Sequence, residues 1–125
     1  MSTRTKLIPI YTSRGDVGAF LLYPYIYSAQ GEWIGWVTAD RSVYSVHGHY
    51  VGILDQAPRI LRRRESTYNQ ERRLPPPEPP PIQPPTWVPL APPLAEVANN
   101  MIDVLEEAPQ LLPTVDFGDL REDMD

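Results

Sequence analysis

The sequence predicts an all-β protein made of antiparallel β-hairpin repeats wound around an axis, followed by a Pro-rich spacer and one C-terminal amphipathic helix. Three observations support this prediction. A short phrase (an aliphatic residue, Tyr, Ser or Thr, two free positions, Gly) occurs three times within residues 7–62. A second glycine and further apolar residues follow each phrase. Eleven of the nineteen residues from 75 to 93 are proline, which ends the repeat pattern.

The three phrases occupy residues 10–15, 26–31 and 43–48. The second and third copies keep an offset of 17 residues throughout, and residues 59–61 continue it 17 residues after 42–44. We therefore count three and a half copies, the last one reduced to its opening strand.

Each full copy predicts one β-hairpin. Ser or Thr at the first turn position and Gly at the fourth suit a type I turn that ends in a left-handed residue, which only Gly adopts without steric cost. These turn glycines are Gly15, Gly31 and Gly48. The second glycines, Gly18, Gly35 and Gly52, lie inside returning strands, where a neighbouring aromatic ring would fill the gap. The predicted strands cover residues 7–12, 17–22, 25–28, 33–38, 42–46, 49–54 and 59–62.

Alternation along the strands predicts one aromatic and one aliphatic face. Tyr25 and Tyr27 share a face, and Ile26 points to the other. Most of these rings are expected in the core. In an alternative interpretation, Trp33, Trp36 and Tyr50 form a stacking surface for a small ligand.

Composition divides the chain into two parts of opposite charge. Residues 1–73 hold ten basic and six acidic residues, a net charge of +4, whereas residues 74–125 hold one basic and ten acidic residues, a net charge of −9.

The absence of cysteine excludes disulfides and thiolate chemistry and fits a cytoplasmic protein. No apolar run approaches the roughly 20 residues of a membrane span, and no signal-peptide core is visible, so we expect no membrane contact.

The predicted organisation is a frayed N-terminus (1–6), the β-hairpin repeat domain (7–62), a polar basic linker (63–74), the Pro-rich spacer (75–93), an amphipathic helix (94–108) and an acidic disordered tail (109–125). Pro-rich chains adopt extended polyproline II, so the spacer should be semi-rigid. A helix this short needs a partner for its apolar stripe. That partner is either the repeat domain or another protein, and the stripe consists of Leu94, Val97, Ala98, Met101, Ile102 and Leu105.

Few residues suggest catalytic or metal-binding chemistry. His47 and His49 stand at i and i+2, as two metal ligands might, but they flank a turn glycine and have no third ligand nearby, so solvated turn residues explain them. Ser28 and Ser45 are explained by turn chemistry. The glycines belong to hairpins and not to a phosphate-binding loop. We expect no enzyme, no catalytic residue, no metal and no cofactor.

Two motifs point to macromolecular partners. Arg73, Pro76 and Pro79 match a basic residue followed by P-x-x-P, the pattern that SH3-type grooves bind. A cluster of arginines suggests a nucleic-acid surface, although the acidic C-terminal part would repel phosphates. Its members are Arg59, Arg62, Arg63, Arg64, Arg72 and Arg73.

The phrase Val/Ile-Tyr-Ser-x-x-Gly-x-x-x-Gly resembles the bacterial 4-fold beta flower family of short proteins. This resemblance covers about residues 7–62 and implies four small β units around a pseudo-fourfold axis. It implies no activity and no functional residues. Fourfold closure would require that residues beyond Arg62 supply a last strand.

We therefore expect a non-catalytic structural or interaction module, in which a Pro-rich tether and a docking helix capture a protein partner. One alternative is a small-ligand-binding β domain that uses its aromatic surface. Another is a nucleic-acid-associated protein that uses the arginine cluster. A homo-oligomer stays open, since the half copy could close within one chain or in a dimer.

Overall fold

The computed structural model describes residues 6–64 and 72–115. Eight antiparallel strands form one curled half-barrel sheet in which strand order follows chain order. One short helix, α1 (Val104–Glu107), and one 3-10 turn (Pro109–Leu111) follow the last strand. The strands are β1 (Ile8–Tyr11), β2 (Val17–Leu22), β3 (Tyr25–Ser28), β4 (Trp33–Val37), β5 (Ser42–Ser45), β6 (Tyr50–Leu54), β7 (Ile60–Arg63) and β8 (Met101–Asp103).

The all-β hairpin-repeat prediction is confirmed, and the first seven strands lie within a residue or two of their predicted bounds. The predicted turns are confirmed too, because Gly15, Gly31 and Gly48 have φ of 94°, 91° and 88°. In each turn the glycine N–H donates to the carbonyl of the Ser or Thr three residues earlier, at 2.9 Å. Each hairpin also has a register shift just before its tyrosine, at Tyr11, Tyr27 and Tyr44.

The fourth copy is completed within the chain by a strand that the sequence pattern did not indicate. β7 pairs with β8 in the register Leu61↔Asp103, Arg62↔Ile102 and Arg63↔Met101. Where the strands of the other three hairpins are joined by four or five residues, those of this fourth unit are joined by residues 64–100. The β domain is therefore larger than the predicted residues 7–62, since it requires residues 101–103.

The C-terminal helix is present but much shorter than the predicted range 94–108. Only Val104–Glu107 is helical, and Met101–Asp103 is a strand. The prediction relied on apolar residues three apart, as at Leu94 and Val97. That spacing suits a helix, but it also suits an extended chain with three residues per turn. The predicted N-terminus 1–6, except for Lys6, and the end of the predicted tail lie outside the described residues.

Two apolar clusters lie on opposite faces of the sheet. The aliphatic face is capped by Val104 and Leu112 from the C-terminal segment; its strand residues include Ile10, Ile26, Val43 and Ile60. The aromatic face contains Phe20, Tyr27, Trp33, Trp36 and Tyr44. This confirms the predicted division between Tyr25 and Tyr27 on one side and Ile26 on the other.

Two of the strand glycines make room for leucines and not for aromatic rings, which corrects that expectation. A Cβ at Gly18 would lie 2.9 Å from Leu105 Cδ1, and one at Gly35 would lie 3.0 Å from Leu112 Cδ2. Gly52 instead faces backbone, with Leu61 O at 2.2 Å from its missing Cβ. The C-terminal segment therefore fits into the sheet at positions where a side chain is missing.

The two ends of the sheet meet at a polar cluster that we call the seam. The buried carboxylate of Asp103, in β8, accepts from the N–H and the hydroxyl of Ser13, both at 2.7 Å. Arg59, also buried, donates to Ser13 Oγ at 3.1 Å and to Ala95 O at 2.8 Å. The second terminal nitrogen of the Arg59 guanidinium, Nη2, lies 3.5 Å from Asp55 Oδ2. The seam joins β1 to β8 through side chains, because these strands share no ladder.

Replacement of Asp103 by alanine should cost about 3 kcal/mol of unfolding free energy, because it leaves the Ser13 N–H and hydroxyl without their charged acceptor. Glu106→Ala is the matched control. Glu106 holds the neighbouring Arg14 N–H at 2.9 Å, but at the surface, so its loss should cost less than about 1 kcal/mol. Urea titration of both variants measures the difference. Equal losses would mean that the seam does not close the sheet.

Candidate functional site

Residues 72–100 form an extended segment without helix or strand, which we call the strap. The strap passes the three hairpin turns in reverse chain order. The Arg73 N–H donates to Gly48 O at 2.9 Å, and the Ile82 N–H donates to Gly31 O at 3.0 Å. Ala91 then reaches Gly15, its Cβ lying 3.9 Å from where a Cβ of that glycine would stand. The three contact residues are therefore spaced nine apart along the strap.

One side of the strap is turned towards the domain. Residues 76, 79, 82, 88, 91, 94 and 97 are spaced by multiples of three and are half-buried, whereas residue 85 of the same series and most of the residues between them are exposed. A polyproline II chain has three residues per turn, so its every-third residues share one side. Nine residues make three such turns, which explains why Arg73, Ile82 and Ala91 all reach a hairpin.

Tyrosine hydroxyls hold the strap at its carbonyls. Tyr27 donates to Pro80 O at 3.2 Å, and Tyr11 donates to Pro89 O at 3.1 Å. Each of these tyrosines stands four residues before its turn glycine, and each bonded carbonyl stands two residues before the strap residue at that glycine. Tyr25 makes a longer contact to Pro77 O at 3.5 Å. Two equivalent subsites therefore hold the strap in the same way.

The third copy has the same residues in the same places. Tyr44 stands four residues before Gly48, and the Arg73 guanidinium lies over its ring at 5.2 Å from the centroid. Its ring is also stacked on Trp36, with 4.9 Å between the ring centroids.

Burial raises the pKa of the Tyr27 hydroxyl above its ordinary value, and the nearby Tyr25 adds to this effect. The neutral, donating form of Tyr27 is therefore the one that the fold favours.

The five residues predicted to dock on a partner all contact the chain's own domain. Leu94 and Val97 lie on the half-buried side of the strap. Met101 and Ile102 lie in β8, and Leu105 packs where Gly18 has no side chain. The helix is thus not a free arm, which corrects the predicted tether. An amphipathic stripe was expected to need a partner, and the described residues show that this partner is the β domain.

The predicted polyproline motif is also engaged. Arg73 binds the third turn, and Pro76 and Pro79 lie on the half-buried side of the strap. The P-x-x-P spacing did identify one side of the chain, but that side faces the protein's own aromatic face. Whether a groove of another protein binds these residues stays a prediction.

The predicted ligand-stacking residues come together without an open platform. Trp33 and Trp36 are buried, and their indole N–H groups donate to Gly35 O and Ser45 O at 2.7 and 3.2 Å. Tyr50 packs edge-on against Tyr44. The cleft beside Trp33, between Glu32 and the strap, has a volume of about 140 Å³. That is smaller than the roughly 300–1,000 Å³ of pockets that enclose drug-sized ligands.

Several arginines of the predicted nucleic-acid cluster bind backbone carbonyls. Arg62 donates to Val51 O at 2.8 Å, Arg64 to Asn99 O at 3.1 Å and Arg72 to His47 O at 3.0 Å. Arg59 is buried in the seam. The cluster thus helps to fix both ends of the strap, and nucleic-acid binding remains a prediction.

The described residues contain no group of three metal-binding side chains. His49 is exposed, and the N–H groups of His47 and His49 both donate to Ser45 Oγ. Within the seam, Ser13 Oγ donates to Asp103 and accepts from Arg59. In the same part of the chain, no helix is long and apolar enough to cross a bilayer.

The outer side of the strap exposes large apolar side chains. Leu74, Trp87 and Leu90 are 93%, 76% and 94% exposed. Sequence analysis did not single out these residues, nor Tyr11, Tyr27 and Asp103. Two signals were available: the Tyr-x-x-x-Gly spacing within each copy, and Ile82, which interrupts a run of prolines and retains an N–H.

The comparisons with known proteins agree with the fold. A family model described as 4-fold beta flower protein matches residues 8–98. No curated protein and no solved structure matches the chain. The matched range extends from β1 through most of the strap, so it includes most of the connection between β7 and β8 but ends before β8.

Gly31→Ala should destabilise the protein more than Gly15→Ala. Both sites have positive φ, which costs a side chain about 1–2 kcal/mol. Only at Gly31 would the new Cβ also lie 2.0 Å from strap backbone, at Ile82 O. We expect a further loss of at least about 1 kcal/mol there, measured by denaturant titration. Equal losses would show that the strap does not seat on the turn.

Tyr27→Phe should cost about 1 kcal/mol and speed hydrogen exchange at the Ile82 amide, because Pro80 O loses its donor. Tyr25→Phe, with its 3.5 Å contact, should change little. Since the folded pKa of Tyr27 is raised, its contribution is complete below the unfolded value of 10.0 and is lost as pH rises through the folded value. Tyr27→Phe should therefore reduce the alkaline loss of stability in a pH series of melts, and an unchanged alkaline slope would contradict this role.

Proposed function

This chain belongs to the 4-fold beta flower family, a family of small β-repeat proteins not known for any enzymatic activity, and we propose that it is a non-catalytic interaction module. In this proposal the β domain is a frame that holds the strap extended. The strap presents Trp87 and Leu90 to a protein partner.

One observation carries the proposal, namely the exposure of two large apolar side chains on a chain segment that is fixed on both sides. Trp87 is 76% exposed and Leu90 is 94% exposed. Before them Ile82 is bonded to Gly31, and between them Pro89 O accepts from Tyr11. A solvated loop would gain nothing from a large exposed apolar side chain, whereas the centres of protein interfaces are enriched in Trp.

The packing around Trp87 determines the direction in which it points. Val88 contacts the aromatic cluster, so the residues on either side of it are turned outward. Prolines at 84, 85, 89, 92 and 93 restrict the backbone of the same stretch. A partner that binds here would lose little free energy by ordering the chain, because the strap is already ordered.

The chemistry of this surface favours a protein over a small molecule. Trp87 and Leu90 project from the strap and do not line a concavity, and the cleft beside Trp33 is small. A protein groove can enclose both side chains, and buried Trp residues are frequent centres of binding energy. We also propose the cytoplasm as the compartment, on the basis of the cysteine-free sequence.

The test is photo-crosslinking in the cells that make the protein. A photoreactive phenylalanine at position 87 should yield a discrete adduct with a partner. The Leu90→Asp substitution in the same chain should reduce this adduct at least tenfold, because a charge would enter the apolar contact. The melting temperature should not change, since Leu90 is almost fully exposed.

Tyr23 provides the matched control position. Its ring is 56% exposed and belongs to the β2–β3 connection, away from the strap. The same photoreactive residue at position 23 should give no such adduct. If both positions capture the same protein, or if Leu90→Asp leaves the adduct intact, then the strap does not present a contact site.

A further inference from the structure

The aromatic face binds an extended Pro-rich chain, and the structure shows how. Two subsites share the bond from a tyrosine hydroxyl to a proline carbonyl: Tyr27 with Gly31 around Ile82, and Tyr11 with Gly15 around Ala91. Ile82 also donates its N–H to Gly31 O, whereas Ala91 contacts Gly15 through its side chain. Tyr44 and Gly48 occupy the same relative positions around Arg73. The repeat of the β domain thus creates a row of equivalent binding positions, and the strap is the peptide that occupies them.

These positions recognise specific chemical features. The middle subsite needs an N–H at the central residue, which proline lacks, because Gly31 O accepts from Ile82. It also needs an acceptor carbonyl two residues earlier, which Pro80 supplies to Tyr27. At the Gly15 subsite, Pro89 supplies the equivalent carbonyl to Tyr11. The feature that both subsites bind is therefore a proline carbonyl two residues before the residue at the turn glycine, at an interval of nine residues, and the middle subsite also requires a non-proline residue at its centre.

We propose that the aromatic face is a binding site for Pro-rich peptides of this pattern, that the strap is its resident ligand, and that a Pro-rich segment of a partner protein exchanges with the strap. Aromatic grooves bind such segments in other proteins because the polyproline II chain is already ordered. The middle of the strap is the part suited to exchange. Between residues 74 and 93 it is held by one backbone N–H, that of Ile82, and by three tyrosine hydroxyls on its carbonyls, and most of its residues stay exposed.

The tethered strap competes with any added peptide. Its effective concentration is on the order of millimolar for a short link, so a peptide binds the native chain only weakly. If the strap is loosened at one subsite, an added peptide should therefore be able to bind the aromatic face. Ile82→Pro removes the middle N–H while it preserves the extended backbone of a Pro-rich segment.

The experiment uses the full chain with the Ile82→Pro substitution and a fluorescein-labelled synthetic peptide of residues 72–93, measured by fluorescence anisotropy. We expect this chain to bind the peptide at least tenfold more tightly than the native chain does. A peptide that itself carries Ile82→Pro should bind at least tenfold more weakly than the native peptide. The Gly31 amide signal in NMR should shift on loosening and return on addition of the native peptide.

Three outcomes would overturn the proposal. The first is equal binding of the two peptides. The second is a loosened strap, seen at Gly31, with no peptide binding. The third is dimerisation of the variant that the peptide does not reverse, seen by light scattering, because the occupant would then be a second copy of the chain.

A second variant keeps the proposal testable if Ile82→Pro fails to fold. Ile82→Asp retains the N–H but places a charge against the aromatic cluster that Ile82 contacts. It should loosen the strap and leave the domain's own subsite residues unchanged, so the native peptide should again bind at least tenfold more tightly than to the native chain. The absence of this gain would reject the site. Since the site lies on the inner side of the strap, its failure would leave the outward presentation of Trp87 untouched.

Discussion

The pairing of β7 with β8 is the constraint on which the remaining architecture depends. An opening strand with an unpaired edge is a site for aggregation, so β7 requires a partner. In the other three units the partner follows a connection of four or five residues, but here it follows residues 64–100. Both ends of that connection lie at the same end of the strand pair, because Arg63 is opposite Met101. Its described part, residues 72–100, passes the hairpin turns and places a Pro-rich chain over the aromatic face.

The residue types of the strap suit the aromatic face that it covers. An eight-stranded sheet of short hairpins buries its aliphatic face with the help of Val104 and Leu112. Its second face consists largely of rings, which a thin extended chain can only partly cover. Proline suits this position because it has no N–H that needs an acceptor and it contributes apolar surface. Non-proline residues occur where the turn carbonyls need an N–H, at Arg73 and Ile82.

Local sequence determines the hairpins and therefore made them predictable. Turn glycines with positive φ, and a tyrosine beside an aliphatic residue, specify a turn and two faces within six residues. β8 was not predictable in this way, because three residues without alternation pair with a strand that is remote in sequence. Leu94 and Val97 were assigned to a helix because spacing alone does not distinguish a helix from an extended chain with a threefold period. Asp103 is one acid among many in an acidic segment, and only the fold shows that Ser13 donates to it and accepts from Arg59.

The candidate site was hidden for a different reason: its residues already had a structural explanation. Tyr11 and Tyr27 are core residues by their position in the strand pattern, and the structure does bury their rings. Their hydroxyls, however, reach the far edge of that core and bind the strap. A buried tyrosine needs a partner for its hydroxyl, so a periodic row of core tyrosines implies a row of acceptors. In a chain with a 16- to 17-residue hairpin repeat and a Pro-rich segment, those acceptors are carbonyls at a nine-residue interval. The two periods differ because one is set by hairpin length and the other by the pitch of an extended chain that passes the same turns.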